Sequence, residues 1–144
     1  KRSSGGGTVL LGPGCLCYSL FIPTSHPQCA TISDTNHFVM HMHKQALSDT
    51  FPNIDVRGIT DLAINDVKVS GNAQRRKRDY ILFHGTFLYS FDIPMISKTL
   101  CFPSRVPDYR NTRSHEDFVA NINISKEVLI TRVSNIWKLN SKSL

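Results

Sequence analysis

The sequence predicts an α+β fold, a mixed β-sheet flanked by helices, and three observations carry that prediction. Short β-branched and aromatic runs recur between Gly, Pro and Asn breaks. Two longer segments repeat apolar residues at helical spacing. No internal repeat and no apolar run of the ~20 residues a membrane span needs competes with this reading. The 144 residues suffice for a single domain, 1–144, burying roughly 70% of its unfolded surface.

The elements follow in chain order. "TVLLGPGCLCYSLFI" (8–22) reads as two strands around a Gly-Pro-Gly turn. A helix is expected over 33–50, where Phe38, Val39, Met40, Met42, Ala46 and Leu47 share half of the wheel. "FPNIDVRGITDLAI" breaks at Pro52 and supplies a further strand or two. "VKVSGNAQ" alternates Val67 and Val69 with Lys68 and Ser70, a strand with one apolar face. "YILFHGTFLYSF" reads as a strand buried on both faces, and "RRKRD" lies between these two. A hairpin reversing near Lys77 and Arg78 sets Gly71 across from about His84. "PSRVPDYRNTRSHEDF" (103–118) is expected to be an irregular loop. The last helix, about 125–139, takes Ser125 as N-cap and carries Leu129, Ile130, Val133, Ile136 and Trp137 on one stripe.

Composition narrows the function classes. A formal net charge of +6 favours an acidic partner, without choosing between nucleic acid, a phosphate-bearing ligand and an acidic protein. Nucleic acid is disfavoured, because the basic run at 75–78 has no aromatic interleaving for base stacking. At a hairpin tip that run is a solvated turn or a docking patch for an acidic partner. Cys15, Cys17, Cys29 and Cys101 match no zinc spacing and read as reduced, buried thiols of a cytoplasmic protein. His37 and His41 point away from the apolar face of their helix and His43 toward it, so the three cannot share one metal ion.

Candidate chemistry concentrates in three short motifs. Gly5, Gly6 and Gly7, before a strand, let backbone N–H groups converge on a phosphate or carboxylate, with Arg2 adjacent as a further charge. Lys68 offers a fixed cation for a reactive carbonyl or phosphate, shaped by Ser70 and Gly71, although strand lysines commonly run to solvent. Asp61 and Asp66 stand where they would orient that lysine or hold Mg²⁺. His84 sits in an apolar strand, and Gly85 after it marks a place where a ligand or another backbone comes close.

Taken together and in order, "RSSGGGTV" (2–9), "TDLAINDVKVSGNAQR" (60–75) and "HGTFL" (84–88) resemble the lipoate–protein ligase family of the biotin/lipoate ligase superfamily. The likeness runs from residue 1 to about residue 90, and the 103–118 segment is similar to a loop of a bacterial subgroup. The resemblance implies a catalytic domain here lacking its N-terminal segment, with the active site in a cleft over the sheet. It implies activation of lipoate or octanoate with ATP and Mg²⁺ to an acyl-adenylate, then transfer to a lysine of a lipoyl domain. The implied acceptors are 2-oxoacid dehydrogenase E2 subunits and the glycine cleavage H protein; neither nucleic acid nor a membrane is an implied partner. Lys68 matches the family's active-site lysine; Arg2, Ser4, Gly5, Gly6 and Gly7 match the loop that closes on the acyl-adenylate. Thr8 and Val9 fall at adenylate contacts, Asp61 at the Asp-Leu aspartate with a Mg²⁺ role, and His84, Gly85 and Thr86 at the His-Gly-Thr motif. Two alternatives stay open: a transferase working through a cysteine thioester, and a module that binds an acyl group or lipoyl domain without catalysis.

Overall fold

A computed structural model describes residues 3–103 and 106–140. Five strands form one sheet: β1 (Cys15–Pro23), β2 (Ile54–Arg57), β3 (Asp61–Ile64), β4 (Val67–Arg76) and β5 (Tyr80–Leu88). Their order is β1-β5-β4-β3-β2, so 54–88 is a meander and β1 pairs with its last strand. Among the described residues the ladders are antiparallel, and the one parallel pairing is the isolated bridge between Lys68 and Val119. The α+β class therefore stands, with an antiparallel rather than mixed set of strands.

Helix α1 (Ile32–Ser48) crosses from one edge of the sheet to the other. It starts at a capping box: the Thr31 hydroxyl accepts from the Asp34 N–H, and the Asp34 carboxylate accepts from the Thr31 N–H. Val39, Met40 and Leu47 face the sheet as the spacing predicts, alongside Leu129 and Val133 of α4 (Lys126–Asn140). Ser125 Oγ accepts from the Val128 N–H at 3.3 Å, in agreement with its predicted capping role. Ile130 is 39% exposed and leaves the predicted stripe. Strand residues Leu62, Ile81, Phe83 and Phe87 complete this core. Within it His43 accepts from Trp137 Nε1 at 3.1 Å, and burial lowers its pKa to about 3.

Several expectations are corrected. Residues 8–14 form no strand, so the Gly-Pro-Gly motif is not a hairpin turn. Gly14, at φ +90°, instead packs where any Cβ would overlap the Ser90 backbone, and its carbonyl accepts from the Tyr89 N–H. Helix α2 (Ile93–Thr99) was not foreseen; Ile96 on it builds a second, small cluster with Leu88 and Phe91. The 103–118 segment, where described, holds a 3₁₀ turn (Asp108–Arg110) and the short helix α3 (His115–Phe118). Of the four thiols only Cys29 is buried; Cys17 and Cys101 are exposed. The β4–β5 ladder pairs Gly71 with Thr86 and Ala73 with His84, one residue later at the reversal than predicted.

Candidate functional site

The two faces of the sheet are told apart by register. Leu16, Phe87, Ser70 and Leu62 form one row under α1. The neighbouring row, Cys17, Thr86, Gly71 and Asp61, lies on the opposite face, and Ser19, His84 and Ala73 continue that face. The small α2 cluster closes one end of it around Leu88 and Cys15.

Lys68 reaches this face because β4 carries a bulge. The register shifts between Leu62 and Ala63, so Ser70 opposes Leu62 and Lys68 opposes Ala63, leaving Val69 as the extra residue. Lys68 thereby shares a face with Gly71, three residues on, and parts from Ser70. Val69 and Ser70 are both buried. The Lys68 side chain runs over Gly71, where an added Cβ would lie 2.9 Å from its Cε and 3.0 Å from its Nζ. Its ammonium ends 2.7 Å from Asp61 Oδ1. Gly71 is glycine so that a neighbouring side chain can cross it.

Asp61 is held from its other side as well. The Tyr109 hydroxyl donates to Asp61 Oδ2 at 2.8 Å, and burial together with the carboxylate's charge raises the phenol's pKa, keeping it a donor. Tyr109 is placed by a folded loop. Arg110 is buried with its guanidinium 4.5 and 4.8 Å from the Phe102 and Phe118 ring centroids. Arg113 donates to the carbonyls of Asp66 and Tyr109, tying the loop to the β3–β4 turn. The Ala120 N–H donates to the Lys68 carbonyl at 2.9 Å, so the same segment also anchors the lysine's backbone.

The N-terminal segment crosses the open face. Ser4 Oγ hydrogen-bonds His84 Nε2 at 2.6 Å, and Arg75 donates to the Ser3 carbonyl at 2.7 Å. Gly6 takes φ +106°, which favours glycine. At Gly5 and Gly7 an added Cβ would meet nothing within 4 Å. Thr8 and Val9 are exposed on the way to β1.

The structure thus brings together Ser4, Asp61, Lys68, Gly71, His84 and Thr86 on one face, with the triglycine beside them. Ser70 and Gly85 belong to the other face. There Gly85 makes room for Asn72, whose carboxamide any Cβ would overlap. Asn72 accepts from the Tyr18 hydroxyl at 2.6 Å and donates to the Thr60 carbonyl at 2.7 Å. Of the two approaches expected at Gly85, a ligand or another backbone, the close neighbours are internal: the Asn72 side chain and the Gly71 carbonyl, 2.8 Å from an added Cβ. Asp66 pairs with Arg57 at 2.7 Å rather than with Lys68. Arg2 lies outside the described residues. Three residues escaped the sequence reading. Arg75 falls in a run that reads as a solvated turn or a docking patch, Asn72 has no role of its own inside its motif, and Tyr109 lies in an expected loop whose alternating aromatic and arginine residues are the available signal.

No helix among the described residues is long and apolar enough to cross a membrane. The family model for the lipoyl protein ligase A/B catalytic domain matches residues 1–137. A curated relative, the inactive lipoate–protein ligase 2 of Plasmodium falciparum, is 25% identical over 155 residues, covering 86% of this chain and 40% of its own length. The crystal structure of a lipoate-protein ligase A bound with ATP superposes with a TM-score of 0.79 at 19% identity, over 98% of this chain and 57% of that one. A bipartite lipoate protein ligase from Thermoplasma acidophilum, described with its E2 lipoyl domain, gives 0.77 at 20% identity, over 98% and 56%. The chain therefore spans about half the length, or less, of these proteins. It belongs to the lipoyl protein ligase A/B catalytic domain family.

Proposed function

We propose that this chain carries the acyl-activating site of an ATP-dependent lipoate–protein ligase. A lipoate or octanoate carboxylate attacks the α-phosphorus of ATP, and pyrophosphate leaves. The amine of an acceptor lysine then attacks the acyl carbonyl, AMP leaves, and the amine proton passes to solvent. The observation that carries this reading is the Lys68 ammonium, fixed by Asp61 across Gly71 on the open face, beside the segment that Ser4 and Arg75 tie down. In both steps negative charge grows on the α-phosphate and the acyl carbonyl oxygens. A cation already positioned there strengthens its interaction as that charge develops. Asp61 and Tyr109 act as positioning residues for Lys68. Ser4 and His84 seat the triglycine, whose N–H groups reach a phosphoanhydride without side-chain interference. Thr8, Val9 and Thr86 border the same space, and Arg2 lies next to the segment in sequence. Acceptors are lipoyl domains of 2-oxoacid dehydrogenase E2 subunits, with the glycine cleavage H protein as a second acceptor class, in the cytoplasm.

A protein-held Mg²⁺ does not fit Asp61. The described residues hold no cluster of three metal-ligating side chains, and each Asp61 oxygen already has one partner, Lys68 or Tyr109.

Lipoate-dependent exchange of pyrophosphate into ATP tests this directly. Lys68→Ala should lower the exchange on the order of 10²–10³-fold with the fold retained. An unchanged rate removes Lys68 from its role. The relative described as inactive favours a second reading, a domain that binds lipoate or a lipoyl domain without activating either. Binding of lipoate with no exchange in the wild-type chain would establish that reading instead. The exposed Cys17 tests thioester transfer: Cys17→Ser should ligate normally, and loss of transfer with a trapped acyl-thioester in the wild type would favour the transferase.

A further inference from the structure

The β4–β5 hairpin tip carries more than a solvated turn. Lys77 and Arg78 are exposed there, and the Arg78 side chain is 95% exposed, 4.0 Å from Asp79. Beside them, on the same face as Lys68, Phe21 is 73% exposed and Tyr80 45% exposed, their ring centroids 6.1 Å apart. Arg75, Lys77, Phe21, Tyr80 and Leu82 line one shallow depression that Ser3 of the N-terminal segment also borders. An edge strand that shows a large aromatic to water is a liability unless something covers it. The row of Phe21, Leu82 and Arg75 stands four residues along β5 from Thr86, about 13 Å away. The patch therefore adjoins the open end of the site, opposite the end closed by α2.

We propose that this tip is the docking surface for the acceptor protein, and that the acceptor meets it with an acidic patch around an apolar centre. The inference rests on the ligase reading for the identity of the acceptor. Charge complementarity selects the chemistry: three cations, Arg75, Lys77 and Arg78, stand there against a single carboxylate, Asp79, whereas Arg76 lies on the other face and donates to the Cys29 carbonyl. A docked acidic domain neutralises the exposed pair Lys77 and Arg78, while the adjacent, mutually tilted rings of Phe21 and Tyr80 supply the water-excluded centre. Docking here places the partner's surface at the mouth of the cleft that holds Lys68, where its lysine must enter.

The test is a titration of the full chain with an unlipoylated, net-acidic E2 lipoyl domain, followed by calorimetry at two salt concentrations. Lys77→Glu/Arg78→Glu should weaken Kd about tenfold or more and flatten the salt dependence. Phe21→Ser/Tyr80→Ser should weaken it comparably with the salt dependence kept. Neither pair should change lipoate-dependent pyrophosphate exchange, which separates this proposal from the ligase reading. Lost exchange in the wild type with tip-dependent docking intact would sink the ligase reading and leave the surface standing. Unaltered Kd in both variants overturns the docking proposal. So does wild-type affinity for a single-stranded RNA exceeding that for the lipoyl domain, or a self-association abolished by Phe21→Ser.

Discussion

Substituting Gly71 with Ala isolates the position of the Lys68 ammonium from its presence. The new Cβ would stand 2.9 Å from Lys68 Cε and 3.0 Å from Nζ. Comfortable contact needs about 3.5–4.0 Å, so the side chain must withdraw by on the order of 0.5–1 Å. Lys68 is the flexible partner, and its pairing with Asp61 at 2.7 Å is what gives way. The two side chains are 28% and 15% exposed, so the pair contributes at most ~1 kcal/mol to stability after solvent screening. Removing a glycine from a strand returns roughly half of that, and the melting temperature should move by less than about 4 °C. Catalysis is less forgiving: a cation displaced by about 1 Å costs up to ~10²-fold in rate. Pyrophosphate exchange measured beside a thermal melt reads both quantities. An undiminished rate would refute the fixed-cation argument, and a rate loss that tracks a collapsed melt would reassign Gly71 to folding.

Three further outcomes are expected. Gly85→Ala drives a methyl into the Asn72 carboxamide and should destabilise the fold by about 3 kcal/mol in denaturant titration; an unmoved midpoint with lost lipoate binding would restore a ligand role to Gly85. Gly5→Ala and Gly7→Ala meet open space, so melts should not change while exchange falls as the segment closes on the phosphoanhydride; full exchange in both would show that the segment never closes. His43, lowered from 6.5 to about 3 by burial, is neutral in the fold and protonates sooner when unfolded. Its contribution is therefore fully present above pH 6.5 and is lost as pH falls toward 3, at about 1.4 kcal/mol per unit within that window. His43→Gln should flatten this acid limb, and an unchanged limb would assign it to other groups.

Much of the frame was legible because it depends on periodicity. Helix α1 and its buried Val39, Met40 and Leu47 follow from helical spacing, and so does His43 in the apolar face. The candidate site was legible as motifs but not as geometry. Alternation alone put Lys68 and Ser70 on one face, because a bulge at Val69 has no local composition that announces it. The hairpin register differs by one at the reversal, since a run of four basic residues and an aspartate contains no glycine-bearing turn pair that fixes its centre. Tyr109 could not be read because its partner, Asp61, lies 48 residues away and meets it only through tertiary packing. Prolines and polar residues made 103–118 look loose, whereas Arg110 between two phenyl rings gives it a core of its own.

The bulge in β4 also gives meaning to a spacing. In a regular strand, residues three apart point to opposite faces, so a lysine and a glycine at that distance could not serve one surface. Had this ladder run without interruption, Lys68 would have opposed Ile64 and its ammonium would have faced the helices. The interval between Lys68 and Gly71 is thus a linear record of an irregularity in three dimensions. An insertion or deletion between them shifts that record by one place, a change more drastic than any single side-chain replacement nearby. Wherever a strand asks an odd-numbered pair to act together, the spare residue between them is part of the apparatus.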